Sequence, residues 1–182
     1  MDMVAHAYYT ADMVRALPND GNHYETVFGE LLVTPAPKAW HQEVLRRLSR
    51  VVEHYLDRYP VGHPFNSPAD ISWSDDVLVQ PDLFVVDIGE AKTMDWARMK
   101  TLLLAVEILS PTTARHDRFT KRKLYQDVGI PTYWIVDPDA QSVEVWTVED
   151  RFPTVCTETV EWKPGGAGEP LVVDLADLFR PL

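Results

Sequence analysis

Cysteine is almost missing from this chain of 182 residues: Cys156 stands alone. No intramolecular disulfide can form, so stability must come from a core, and a chain of this length buries about two-thirds of its unfolded surface. Long apolar runs are missing as well. Nothing approaches the roughly 20 apolar residues that span a bilayer, and Met1–His6 lacks the basic start and apolar centre of a secretion signal. A cytoplasmic protein without a membrane span is expected. Zinc-type CxxC and HExxH, the GxSxG elbow, the P-loop and GxGxxG are all absent, which removes zinc proteases, α/β-hydrolases, P-loop NTPases and dinucleotide enzymes.

Basic residues are also scarce, 17 against 28 acids, for a net charge of −11. That deficit counts against loose binding of nucleic acid, which relies on basic surface to displace counterions. The acidity lies mostly in the tail: residues 127–182 hold 11 acids and 3 bases (−8), residues 1–126 hold 17 and 14 (−3). Arg115, Arg118, Lys121, Arg122 and Lys123 crowd one predicted helix, and Lys38, Arg46, Arg47 and Arg50 another, so a local basic face is expected.

What is present centres on Gln80–Tyr125. Pro81–Val86 reads as a strand with Asp82 at its entrance, and Leu102–Leu109 as a second with Glu107 near its exit. Paired antiparallel, the start of one lies beside the end of the other, and the two carboxylates share one rim of a buried sheet. Glu107 is the one polar residue of its run and needs a partner there, because an isolated buried carboxylate costs several kcal/mol to ionise. Pro111 ends the strand, Thr112 or Thr113 can cap a helix, and Asp117–Val128 continues it. On a wheel of about 100° per residue, Lys121 shares an arc with Leu124, Tyr125 and Val128, while Lys123 falls on the far side with Phe119. Lys121 is the inward cation.

Four stretches carry a resemblance: Val79–Leu83, Val106–Thr113, Asp117–Tyr125 and Gly129–Pro138. In this order they are similar to the motifs of the Uma2 family, a branch of the PD-(D/E)XK restriction-endonuclease-like superfamily, over residues 20–150. The resemblance implies an α/β fold with a mixed sheet and an αβββαβ core, and a nuclease site. The superfamily's lysine two residues after the acid is absent, since Leu109 stands there; the resemblance moves its role to Lys121.

Along the chain, Thr10–Leu17 reads as a short capped helix, and His23–Phe28 with Glu30–Thr34 as a hairpin around Gly29. Glu30 is an exposed turn acid or, by the resemblance, a site residue. Lys38–Tyr59 is the longest helix, with Val44, Leu48, Val51 and Tyr55 as its core stripe. His41 lies on that side at the helix N-terminus, where it either caps the core or touches a phosphate or a metal-bound water; His41-Gln42 matches the family's pair. Gly62–Phe65 and Ala69–Trp73 read as short strands, Asp70 being a solvated strand-edge acid or a neighbour of the site. Glu90–Lys100 is a polar loop or loose helix, and Thr132–Val136 a buried strand. Ser142–Val148 and Thr154–Glu161 read as a hairpin whose apolar residues cover the core or form a homodimer. The whole is one domain, 1–182, with its core at about 38–138 and a C-terminal extension at about 141–182.

Asp82 and Glu107, with the Ile108 carbonyl beside them, are hard oxygen ligands suited to Mg²⁺ or Mn²⁺. Lys121 would then orient or deprotonate the attacking water or neutralise the transition state, and its removal is expected to end turnover with the fold intact. Two functions remain: a metal-dependent DNA endonuclease, or a non-catalytic nuclease-like module binding nucleic acid or a protein.

Overall fold

The computed structural model describes residues 7–182; Met1–His6, read above for a secretion signal, lie outside the described residues. The chain opens with α1 (Ala11–Arg15), capped by the Thr10 hydroxyl, which accepts from the Met13 N–H. A hairpin follows, β1 (His23–Val27) and β2 (Glu30–Thr34). Its two turn residues, Phe28 and Gly29, both have positive φ, 52° and 80°, the pair that closes a tight turn matched to strand twist. Next come α2 (Ala39–Arg58), β3 (Gly62–Asn66), β4 (Leu83–Asp87), α3 (Ile88–Ala91) and β5 (Leu102–Ile108). A π-helical turn, His116–Lys121, runs into α4 (Arg122–Asp127). The chain ends with β6 (Tyr133–Asp137), β7 (Ser142–Trp146), β8 (Thr154–Cys156), β9 (Thr159–Trp162), β10 (Leu171–Asp174) and α5 (Leu175–Leu178).

Strands β3 to β8 form one six-stranded mixed sheet in chain order. Only β5 and β6 are parallel; the π-turn and α4 supply the crossover that a parallel pair requires. The expected order of helix, three strands, helix, strand is present as α2, β3, β4, β5, α4, β6.

Alternation on the central strands makes two cores. Leu83, Val85, Leu104, Val106, Trp134 and Val136 face α2. Phe84, Val86, Ala105, Tyr133 and Ile135 face the opposite way, where the β1–β2 hairpin and α4 close over them. Glu107 shares the parity of Ala105 and points into this second core.

Two sequence expectations change. Ala69–Trp73 contributes a single bridge, Ile71 to Val79, and not a strand. The tail hairpin divides: β8 pairs with β7, but β9 turns away and pairs with β10 as a separate two-stranded sheet. Val160, Trp162, Leu171 and Val173 from that sheet pack with Val44, Leu48 and Val52 of α2. Of the tail's apolar residues, Val143, Trp146, Val160 and Trp162 are buried and cover the core, while Val145 is half-buried and Val155 exposed. Val173→Ala, at a site 3% exposed in this core, is expected to cost about 1.5–2.5 kcal/mol in urea denaturation, from lost methyl burial plus the cavity. A loss under half a kcal/mol would show the tail to be ornamental.

Candidate active site

The pairing of β4 with β5 sets the site. Leu83 opposes Val106, so Asp82, one residue earlier, faces the rung of Glu107 at the same rim. Pro81 has no N–H, the regular ladder stops there, and the Asp82 carboxylate takes over: its Oδ2 accepts the Ile108 N–H at 2.7 Å. The same oxygen lies 3.2 Å from His41 Nε2, delivered by the first turn of α2. His41 Nδ1 is buried with no partner.

Glu107 is 4% exposed and its Oε1 accepts from Lys121 Nζ at 3.0 Å and from the Tyr125 hydroxyl at 2.9 Å. Lys121, also 4% exposed, is bound by two further acids, Glu25 at 2.8 Å and Asp117 at 3.7 Å. The π-turn explains this convergence. In the wider turn the Arg122 N–H reaches back five residues to the Asp117 carbonyl, and Asp117, Lys121 and Tyr125, four apart, line one face. Lys123 points away and pairs with Asp127 at 2.9 Å, as the helical wheel predicts.

Burial governs the titration. It pushes the Glu107 carboxyl well above the usual range, against the pull of Lys121. Burial likewise raises Asp117 to about 6, again opposed by Lys121. Desolvation works against a charged Lys121, but Glu107, Glu25 and Asp117 outweigh it and hold its pKa well above an ordinary lysine's. For His41, burial is outweighed by Asp82, the Ile108 carbonyl and Asp117, and its pKa rises. A raised carboxyl binds its proton more tightly folded than unfolded, so its stabilising effect is lost as pH climbs from the unfolded value through the folded one, about 6 for Asp117 and higher than an ordinary carboxyl's for Glu107. A raised histidine loses its own contribution as pH climbs from about 6.5 through the folded value. Both signs agree: the metal-free protein should melt several degrees lower at pH 8 than at pH 5.5. Calorimetric melting across that range checks it, and a flat or opposite profile would contradict the charge assignment.

Sequence reasoning missed Glu25 and Asp117. Glu25 sits opposite Leu32 and two residues from Val27, an acid on the apolar face of a strand, which is the signal that singled out Glu107. Its Oε1 accepts the Gln80 N–H at 2.7 Å. Glu30 is corrected: the hairpin closes at the Val27–Glu30 pair, which leaves Glu30 exposed at the turn, two rungs from Glu25 and outside the cleft. Asp70 is tied down, accepting from Gln80 Nε2 at 2.9 Å with Arg15 at 3.4 Å. The expected basic face on the helix after Glu107 does not form. Arg118 bridges Asp137 and Glu144, and Arg122 lies over the Trp146 ring.

Asp82, Glu107, Lys121, His41, Glu25 and Asp117 all line one cleft of about 440 Å³. Among the described residues no three His, Cys, Asp or Glu side chains form a metal cage. The donors that fit a hard dication are two carboxylates, each with one oxygen outside the bonds above, and the Ile108 carbonyl, a set that Mg²⁺ completes with water.

Against known proteins, no curated protein matches significantly. Among solved structures, a "putative nuclease belonging to DUF820" from Anabaena variabilis superposes with a TM-score of 0.75 at 21% identity, covering 94% of this chain and 97% of its own. That likeness establishes a shared fold. The model of the Uma2 family, described as "Putative restriction endonuclease", matches residues 11–167, and the chain belongs to that family.

Proposed function

We propose that the protein is a metal-dependent DNA endonuclease that hydrolyses phosphodiester bonds in this cleft. The observation that carries the reading is the surplus of acid: Glu25, Asp82, Glu107 and Asp117 converge on one lysine and one histidine. Such a cluster calls for protons or a further cation. Asp82 and Glu107, with the Ile108 carbonyl, would hold Mg²⁺ or Mn²⁺, which when bound polarises a phosphate oxygen and supplies an activated water.

The chain's own groups do the rest. Lys121 stays protonated, so it cannot deprotonate water, the alternative allowed above; its fixed charge stabilises the negative charge that builds on the phosphorus oxygens. Glu25 and Tyr125 hold Lys121 and Glu107 in register. His41, at the first turn of α2, contacts Asp82 Oδ2 through Nε2 and would orient that carboxylate toward the metal. A non-catalytic module that binds nucleic acid or a protein is the rival, favoured by the finding that among the described residues no three side chains form a metal cage. Plasmid nicking separates them: cleavage that needs Mn²⁺ or Mg²⁺ supports the nuclease, and purified protein that leaves the plasmid intact at every metal concentration supports the module.

A further inference from the structure

The cations of α2 are arranged differently from those of α4. Lys38 and Gln42 line the cleft mouth. Arg46 and Arg50 follow at steps of four, all four residues being exposed. A step of four on a helix advances about 6 Å and turns by only about 40°, so this row is a continuous ridge of about 18 Å that begins at the site. Glu43, the acid within it, is clasped by Arg46 at 2.7 Å and Arg47 at 2.7 Å, a pairing that keeps its carboxyl near 2 and its charge fully answered. Arg180 adds to the same surface, lining one hollow with Arg46, Arg47 and Arg50. Asp174 and Asp177 edge that hollow, and Glu53 and Asp57 end the ridge beyond Arg50. On a chain of net charge −11 this is a concentration of arginine contiguous with the cleft.

Resting on the nuclease reading for the cleft, we propose that the exposed ridge of α2, with Arg50 and Arg180 at its far end, is the surface along which a nucleic-acid backbone lies as it leaves the site. The partner is a polyanion of regularly spaced phosphates. Arginine suits it because its fork meets phosphate oxygens two at a time. The contacts carry no base information, so they position the strand without selecting sequence.

The test is the salt dependence of binding. Fluorescence anisotropy of a labelled 20-mer DNA duplex, in Ca²⁺ or without metal, compares wild type with Arg50→Gln/Arg180→Gln. Neither side chain makes an ion pair among the described residues, so the fold should be untouched; circular dichroism and melting confirm that. Losing two phosphate contacts should lower the slope of log K against log salt by about 1.8 and weaken binding at low salt by tenfold or more. Arg58→Gln, beyond the acidic end of the ridge, should leave the slope unchanged. An unchanged slope in the double variant, an equal drop in Arg58→Gln, or no binding by wild type at low salt overturns the proposal. Cleavage is read separately: a wild type that binds with this slope yet never cuts in Mn²⁺ would sink the nuclease reading and leave the ridge standing.

Discussion

Lys121→Ala should lower folding stability by about 3–5 kcal/mol, because it leaves three buried carboxyls facing one another without their cation. This reverses the expectation from sequence alone, where a helix lysine could be removed with the fold intact. The difference lies in its surroundings: Glu25, Glu107 and Asp117 are each within 4 Å of one ammonium that is 4% exposed. With a domain's total stability of about 5–15 kcal/mol, such a loss takes a large share of it. Lys121→Met combined with Glu107→Gln should recover part of the loss, since the second change removes one of the acids that the first has left without its cation. Lys123→Ala, on the opposite side of the helix, should stay within about 0.5 kcal/mol of wild type. Urea denaturation of the four proteins checks all of this. Equal effects at 121 and 123 would contradict the buried placement.

Asp82→Asn should cut the rate of DNA cleavage by about 100-fold or more, the scale on which removing a single electrostatic contact at a reacting centre is felt. The fold should survive it. Asparagine keeps an oxygen for the Ile108 N–H, and the residue sits at the rim, 19% of its side chain exposed. A second readout belongs to the same substitution. Asp82 is the chief group raising the His41 pKa, so the imidazole should titrate at lower pH in the variant, measurable by NMR. A variant that cuts at the wild-type rate would remove Asp82 from the chemistry.

The residues that could be read from sequence were those that broke a local rule. Glu107 was visible because an acid interrupts an apolar strand, and Lys121 because helical phase separates it from Lys123. Glu25 breaks the same rule, but its strand is five residues long and flanked by polar groups, too short for the interruption to stand out. Asp117 was hidden by spacing: an acid four residues before a lysine is what an exposed helix commonly shows, and only the packing of β6, whose Tyr133 hydroxyl bonds the Asp117 carbonyl at 3.1 Å, makes that pair interior. Glu30 entered as a site residue through the resemblance alone; the turn that follows Val27 places it past the end of the core, exposed as its Gly-Glu-Leu turn suggests. The split of the tail strands had no local signal at all. Thr159–Trp162 alternates equally well for either partner, and the apolar face of α2 decides.

The central claim is that the acids around Lys121 are completed by a divalent cation, and titration calorimetry with Mn²⁺ near pH 6 tests it most directly. Repeating the titration in buffers of different ionisation enthalpy counts protons as well as ions. The account predicts one ion per chain, protons released on binding because Glu107 and Asp117 hold them in the metal-free protein, and loss of the binding heat in Asp82→Asn. No binding at millimolar Mn²⁺, or binding that Asp82→Asn leaves unchanged, would contradict it.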